Sequence, residues 1–308
     1  MAYSQISTMF NRRNLLTSAA AVSAFIASPM VASTPARRFD AAARIQSLEV
    51  GQARLGVCFL DTHTGEYTGS RLDEHFAMCS TFKLPLVAAY LRESDNGRVD
   101  LAEVLPYSKS DLLPWAPVTG KYLAKGGLSI SVLAQAAQEL SDGVAANLLV
   151  RRLGGPTAVT VKFREMGDSV SRLDRYEPDL GLVLSGDLRD TTSPIAMAQL
   201  VRRVTTGSLL RPDSRERLLR WMENTNTGTR RLRAGLPAHW RAGNKTSTGR
   251  IEGTTNKCND IAIVFPPGRD AIIVSTYFDS GEYTPQVEAR HEAVLAKVGR
   301  VAGEWAIS

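Results

Sequence analysis

The chain contains few of the residues from which metal and redox centres are built. Its 308 residues include only three cysteines and four histidines. These show neither a C-x-x-C pair nor the ligand spacing of a zinc site. The sequence also lacks a G-x-G-x-x-G fingerprint and a P-loop, which argues against enzymes that bind dinucleotides or nucleotide phosphates. We therefore expect no metal ion and no cofactor.

Histidine-based catalytic patterns are missing as well. The four histidines, at positions 63, 75, 239 and 291, lie in unrelated contexts, so a Ser-His-Asp triad has no evident base. No G-x-S-x-G elbow occurs, and His291-Glu292 is not followed by the second histidine of a zinc peptidase. The sequence thus gives no support to the common histidine-dependent hydrolases.

Basic residues are not clustered along the chain. The formal net charge is +6, and two of these positive charges, Arg12 and Arg13, lie in the first 33 residues, which contain no acid. No run of lysine and arginine marks the basic patch that is typical of nucleic-acid binding. We therefore expect a mildly basic surface and no nucleic-acid partner.

The only long apolar run lies close to the N-terminus. Two arginines precede an apolar segment over residues 15–27, and small residues follow at 31–33, which is typical of an export signal. The segment is too short to span a bilayer permanently. The arginine pair indicates the twin-arginine route, and a general secretory signal is the alternative. Residues 1–33 thus predict an exported, periplasmic protein without stable membrane insertion.

Hydrophobic periodicity places strands near both ends of the chain and helices between them. Apolar alternation predicts strands at residues 54–61, 66–70, 240–248, 261–265 and 271–277. Helical spacing predicts helices at residues 81–91, 130–140, 143–153, 157–166, 194–205, 215–222 and 285–305. The pattern favours an α+β fold in which both ends of the chain close one antiparallel sheet.

The helical block interrupts the sheet, which predicts two domains. We expect an α/β domain formed by residues 34–78 and 226–308, and an all-helical domain formed by residues 79–225. The seam between two such lobes is the natural place for a ligand cleft.

One S-x-x-K sequence, Ser80-Thr81-Phe82-Lys83, stands at the start of a predicted helix. Three residues are nearly one helical turn, so Lys83 lies beside Ser80, where a lysine can accept the serine proton. The helix N-terminus adds backbone N–H groups where an oxyanion would form. Taken alone, the motif is better explained as a serine N-cap followed by a solvated lysine.

Three further motifs follow in order. Ser141-Asp142 lies at a junction between two predicted helices, and Glu177-Pro178 lies in a helix-poor stretch over residues 175–190. Lys245-Thr246 begins on a returning strand, with Thr248 on the same face as Thr246.

This set of motifs resembles the class A serine β-lactamases, whose signatures are S-x-x-K, S-D-N and K-T-G. The resemblance extends over residues 40–305 and includes stretches outside the motifs, at 107–119, 189–194 and 229–237. It implies a two-lobed serine β-lactamase/transpeptidase-like fold and a monomeric enzyme that acts on small molecules. The implied reaction is the hydrolysis of penicillins and cephalosporins through an acyl-enzyme, which confers β-lactam resistance.

The resemblance also assigns catalytic roles. Ser80 would be the acylated nucleophile, with Lys83 hydrogen-bonded to it. Glu177 would activate the water that deacylates the enzyme, and the base for acylation stays open between Glu177 and Lys83. Ser141 would pass a proton to the departing ring nitrogen, and Lys245 would supply positive charge beside it.

Further residues would bind substrate or support the site. The residues expected to hold the substrate carboxylate are Thr246, Thr248 and Arg231. The backbone N–H groups of Ser80 and Thr248 would form the oxyanion hole. Trp115 matches an aromatic gate, and Arg175 with Asp190 would pin the loop that carries Glu177.

Three positions depart from the family pattern. Gly143 replaces an asparagine that touches the substrate's acylamino group, and Gly181 replaces an asparagine that helps to hold the hydrolytic water. Ser247 replaces a glycine and adds a side chain where the strand backbone approaches the site. These changes bear on rate and substrate preference, while the mechanism class stays the same.

The family resemblance raises two expectations about covalent geometry. Some relatives pair a cysteine at the position of Cys79 with one just after K-T-G, where this chain has Gly249, so a Cys79–Cys258 disulfide is left open. The Glu177–Pro178 bond is expected to be cis.

Two other functions use the same serine and lysine. A D-alanyl-D-alanine peptidase would cleave peptides, and a sensor would be acylated and keep the drug. The glutamate loop favours hydrolysis over both, because breaking a stable acyl ester needs a base with access to water.

Overall fold

The computed structural model describes residues 39–286 and 288–308. The predicted export signal at residues 1–33 lies outside the described residues. Within them, no helix is both long enough and apolar enough to cross a membrane.

The elements alternate as expected for an α+β protein. The helices are α1 (Ala41–Gln46), α2 (Lys83–Asp95), α3 (Ile130–Glu139), α4 (Gly143–Leu153), α5 (Pro156–Glu165), α6 (Pro194–Thr205), α7 (Pro212–Glu223), α8 (Leu232–Gly235) and α9 (Ala289–Ala306). The strands are β1 (Arg54–Asp61), β2 (Tyr67–Ser70), β3 (Phe76–Ala77), β4 (Val104–Pro106), β5 (Gly127–Ser129), β6 (Thr191–Thr192), β7 (Arg241–Gly249), β8 (Lys257–Phe265) and β9 (Ile272–Asp279).

Both ends of the chain build one antiparallel sheet, as predicted. Its strand order is β2-β1-β9-β8-β7, so the N-terminal hairpin joins the three C-terminal strands through β1 and β9. Arg54 lies opposite Asp279 at one end of that pair, and Asp61 lies opposite Ile272 at the other. This order leaves β7 at an edge of the sheet, with one side free to line a cleft.

The sheet is covered on both faces, which explains its apolar strands. On β8, Ala262 and Val264 pack in the core that contains α9. Ile261 and Ile263 face the opposite way, into the core formed with helices α2 to α7. Because this second core contains residues of both the sheet and the helical block, the division into two domains stays a prediction.

Local signals in the sequence explain where the central helices begin. Asp142 caps α4 by accepting from Ala145 N, and Ser193 caps α6 by accepting from Ala196 N. Gly154 ends α4 with a φ of 105°, a conformation that favours glycine. Helices α4 and α6 have the predicted bounds, and so does strand β1.

Other predicted bounds are wrong. Strand β8 begins at Lys257 instead of residue 261, because polar residues that are buried here interrupt the apolar alternation. Helix α9 begins at Ala289 instead of residue 285, since Glu288 has extended backbone angles. The segment 79–225 is not wholly helical, because it also contains the two- and three-residue strands β4, β5 and β6.

Cys79 and Cys258 do not form a disulfide, and both are buried free thiols. Cys258 lies opposite Thr248 and packs in the core beneath α9, whereas Cys79 packs with Ala77 and Val183. Burial raises the pKa of Cys258 to about 11 and that of Cys79 to about 12. We therefore regard both as apolar packing residues.

Candidate active site

A cleft of about 370 Å³ lies between the edge strand β7, the start of α2, the α3–α4 junction and the loop over residues 175–190. The residues lining it include Ser80, Lys83, Trp115, Ser141, Glu177, Arg231, Thr246 and Thr248. Lys245, which is fully buried, reaches the same place from β7. The structure thus brings the predicted catalytic and substrate-binding residues together.

Ser80 lies in a 3₁₀ helix, Cys79–Phe82, that leads directly into α2. Cys79 has a φ of 42°, a conformation uncommon for residues other than glycine, and the turn presents Ser80 at the cleft. Lys83 Nζ lies 2.9 Å from Ser80 Oγ. The lysine side chain is only 1% exposed, so it has little freedom to leave the serine.

Glu177 completes the surroundings of Ser80. Its Oε1 atom lies 3.0 Å from Ser80 Oγ and 2.9 Å from Lys83 Nζ. The Glu177–Pro178 peptide bond is cis, as expected. Both candidate bases are within hydrogen-bond distance of the hydroxyl, so the geometry leaves the acylation base open between them.

The loop that bears Glu177 is closed at its base by Arg175 and Asp190. Arg175 Nε donates to Asp190 Oδ2 over 2.5 Å, and the backbone N–H groups of Asp174 and Arg175 donate to Asp190 Oδ1. Burial raises the pKa of Asp190 above its usual value, although these hydrogen bonds oppose the shift. These contacts join the two ends of the loop, and the pinning role of the two residues stays a prediction.

Ser141 lies between two lysines. Its Oγ atom accepts from Lys245 Nζ over 3.0 Å and lies 3.4 Å from Lys83 Nζ. Burial, reinforced by the nearby charge of Lys83, lowers the pKa of Lys245 well below its usual value. A hydroxyl with a lysine on each side can pass a proton to a departing group and receive another.

The expected carboxylate-binding residues meet at the end of β7. Arg231 Nη2 donates to Thr248 Oγ1 over 2.7 Å, while Nη1 donates to the Ser247 carbonyl over 2.7 Å. Thr246 Oγ1 lies 2.6 Å from Thr227 Oγ1. Arg231 is only 4% exposed. Its guanidinium therefore places a positive charge beside Thr248 from within the protein.

Trp115 stands at the mouth of the cleft, with 60% of its surface exposed. Its indole Nε1 donates to the Leu140 carbonyl over 2.9 Å, directly before Ser141 in the chain. A tethered aromatic surface at this place suits the predicted gate.

Comparisons with known proteins identify the family. Residues 40–306 match the Beta-lactamase enzyme family. The structure of an ancestral class A β-lactamase (GNCA) superposes with a TM-score of 0.81 at 44% identity, covering 86% of this chain and 99% of that one. The chain belongs to the class A serine β-lactamases.

Present-day relatives agree with this assignment. This β-lactamase is 39% identical to Beta-lactamase CTX-M-25 of Escherichia coli over 291 residues, which is 94% of this chain and 96% of the relative. It is also 39% identical to the Carbapenem-hydrolyzing beta-lactamase KPC of Klebsiella oxytoca over 251 residues, 81% and 83% of the two chains. The predicted fold and family are confirmed, and the activity is that of a hydrolase that opens β-lactams and confers resistance to them.

The three departures from the family pattern have distinct surroundings in this β-lactamase. A Cβ atom at Gly143 would lie 3.2 Å from Leu113 Cδ1, and one at Gly181 would lie 3.0 Å from Ile251 Cδ1. Neither glycine has the positive φ that excludes other residues. Ser247 is buried, and its Oγ atom accepts a hydrogen bond from Asn259.

Sequence reasoning missed two amide side chains that hold the site. The Asn147 side chain forms two hydrogen bonds with the backbone of Glu177. Its Oδ1 accepts from Glu177 N over 3.0 Å, and its Nδ2 donates to Glu177 O over 2.9 Å. Asn259, on β8, contacts the turn before Ser80. A lone asparagine within the apolar α4 was the available signal for Asn147, whereas Asn259 sits in a polar run that resembles a surface strand.

Proposed function

We propose that this β-lactamase hydrolyses penicillins and cephalosporins through an acyl-enzyme on Ser80, which Glu177 resolves by activating water. The observation that supports it is the contact of Ser80 Oγ with both Lys83 Nζ and Glu177 Oε1 in one cleft. A hydroxyl placed between an amine and a carboxylate can lose its proton as it attacks.

In the acylation step, Ser80 Oγ attacks the β-lactam carbonyl carbon and its proton passes to Lys83 or Glu177. The carbonyl oxygen becomes an oxyanion that the N–H groups of Ser80 and Thr248 stabilise. The ring C–N bond then breaks, and Ser141 delivers a proton to the nitrogen. Lys83 and Lys245, both within 3.4 Å of Ser141 Oγ, can replace that proton.

In the deacylation step, Glu177 takes a proton from water, and the resulting hydroxide equivalent attacks the ester carbon. The ester C–O bond breaks, the proton on Glu177 returns to Ser80 Oγ directly or through Lys83, and the ring-opened acid leaves. Asn147 and the Arg175–Asp190 pair hold Glu177 in place for this step.

Substrate orientation depends on the far end of β7. The hydroxyls of Thr246 and Thr248 donate to the substrate carboxylate, and Arg231 strengthens the site with its positive charge. Trp115 packs against the substrate side chain at the mouth of the cleft. Residues 1–33 support export to the periplasm.

The roles of Ser80 and Glu177 are tested by trapping the acyl-enzyme. Ser80→Ala should abolish turnover, and Glu177→Ala should slow it by about 10²–10⁴-fold, because a positioned base is lost in deacylation. Mass spectrometry of Glu177→Ala with benzylpenicillin should show a long-lived adduct of one intact penicillin on Ser80.

Ser70→Ala is the matched control, since this buried serine lies on β2, outside the cleft. It should keep parental turnover. Absence of added mass on Glu177→Ala after prolonged incubation would show that the assigned roles are wrong. Cleavage of a peptide ending in D-Ala-D-Ala would indicate a peptidase instead.

A further inference from the structure

Ser247, which replaces the family's glycine, has a specific partner across the sheet. It lies opposite Asn259 in the β7–β8 pairing, and both residues are buried. Asn259 Nδ2 donates to Ser247 Oγ over 2.8 Å. The added hydroxyl is thus an acceptor that glycine could not provide.

The Asn259 amide also holds the turn that precedes the nucleophile. Its Nδ2 donates to the Ala77 carbonyl over 2.9 Å and lies 3.4 Å from the Met78 carbonyl. Its Oδ1 accepts from Phe278 N over 3.2 Å. Since a backbone N–H can only donate, this contact fixes which end of the amide is the oxygen.

One amide therefore links two separate parts of the chain. The turn through Ala77 leads through Cys79 to Ser80, and Ser247 directly precedes Thr248. These are the two segments whose N–H groups form the oxyanion hole in the proposed function. Arg231 holds the backbone of the same cross-strand pair. Its side-chain Nη1 donates to the carbonyls of Ser247 and Asn259 over 2.7 and 3.1 Å.

We propose that Ser247 and Asn259 form a positioning pair that sets the spacing between the two N–H donors of the oxyanion hole. The inference rests on the proposed function. Stabilisation of an oxyanion depends on donors that are already in place, so a small change in their spacing weakens catalysis more than it weakens ground-state binding. The pair acts through the backbone, because Asn259 holds the Ala77 carbonyl and Ser247 directly precedes Thr248.

The test uses the carbonyl vibration of the acyl-enzyme, because that frequency reports the hydrogen bonds to the carbonyl oxygen. Glu177→Ala is acylated with benzylpenicillin labelled with ¹³C at the β-lactam carbonyl, and isotope-edited infrared spectra are recorded. Adding Ser247→Ala should move the ester band to higher wavenumber and broaden it. Ser70→Ala in the same background should leave the band unchanged.

Kinetics with the wild-type Glu177 should show the same effect. Loss of one neutral hydrogen bond corresponds to about a 3- to 10-fold fall in kcat/KM for Ser247→Ala. This fall should come from acylation, with little change in ground-state affinity. Asn259→Ala should lose more, and adding Ser247→Ala to it should cost little further, because the two residues act as a unit.

An unchanged ester band and unchanged kcat/KM in a folded Ser247→Ala variant would overturn the inference. So would a loss of thermal stability without either change, since that result indicates a structural role alone. Ser247→Ala decides the matter even if Asn259→Ala fails to fold. If Glu177→Ala forms no ester at all, the proposed function fails first, and the positioning role falls with it.

Discussion

Arg231 shows how one residue in the cleft combines a structural and an electrostatic role. Its guanidinium donates to two backbone carbonyls and to Thr248, and Glu292 Oε1 lies 3.3 Å from its Nε. Glu292 also pairs with Arg230, whose side chain is 73% exposed. The neighbouring arginines therefore share a carboxylate, while only Arg231 reaches the cleft.

Arg231→Ala should weaken substrate capture more than it slows chemistry at saturation. Removing a charged donor corresponds to about a 10- to 100-fold fall in kcat/KM, mostly as a higher KM. Steady-state kinetics with a penicillin and a cephalosporin measure this split.

Arg230→Ala is the matched control, because it removes an arginine from the same carboxylate without touching Thr248. It should keep kcat/KM within about 2-fold, as expected for an exposed ion pair. Parental kcat/KM in Arg231→Ala would contradict the carboxylate-binding role and leave a structural residue.

Among the structural elements, the loop over residues 175–190 carries Glu177, the base that we propose for deacylation. It is fixed by Asn147 at Glu177 and by Asp190 at its base. Gly181 lies in a short 3₁₀ turn of this loop, where other relatives have an asparagine that helps to hold the water. Its backbone would accept another residue, and Ile251 limits the space beside it.

Gly181→Asn should speed deacylation several-fold while leaving acylation nearly unchanged, because an added amide supplies one hydrogen bond worth roughly 0.5–1.5 kcal/mol. Rapid-quench kinetics separate the two constants. Gly181→Ala is the control, since it meets the same Ile251 contact without the amide. Deacylation that is no faster in Gly181→Asn than in Gly181→Ala would refute a role for the missing amide.

The elements also show how far the sequence could predict the site. Ser80, Lys83, Ser141, Glu177 and Lys245 stand in motifs with local spacing, and the structure brings them together. Asn147 and Asn259 were not assigned, because their partners Glu177 and Ala77 are 30 and 182 positions away in the chain. The predicted start of β8 was wrong because its first residues are polar in the sequence and yet are buried by neighbouring elements.

For the molecule as a whole, a buried carboxyl makes stability depend on pH. Asp260 has no exposed surface, and it accepts from Asn244 Nδ2 over 2.8 Å. Burial raises its pKa to about 6, although Asn244 and the charge of Arg231 oppose the shift. The folded protein therefore holds this proton more tightly than the unfolded chain, whose carboxyl has a pKa of 3.8.

The contribution of Asp260 to stability should be complete below pH 4 and should fall as the pH rises through about 6. Asp260→Asn stays neutral throughout, so its side chain contributes no pH dependence. Over this range, the unfolding free energy of the parent should therefore fall relative to that of the variant. The shift corresponds to at most about 3 kcal/mol. Urea unfolding at several pH values measures it, and a difference independent of pH would contradict the assignment.

The pairing of β1 with β9 has a consequence for synthesis of the protein. Strand β1 leaves the ribosome long before its partner β9, and nearly every side chain of β1 is destined for burial. Ser80 and the helices that surround it are translated in between. An apolar strand without a partner is prone to aggregation, and pairing between distant segments forms slowly. A chain released before β9 would carry the nucleophile but could not close the sheet whose edge forms its cleft.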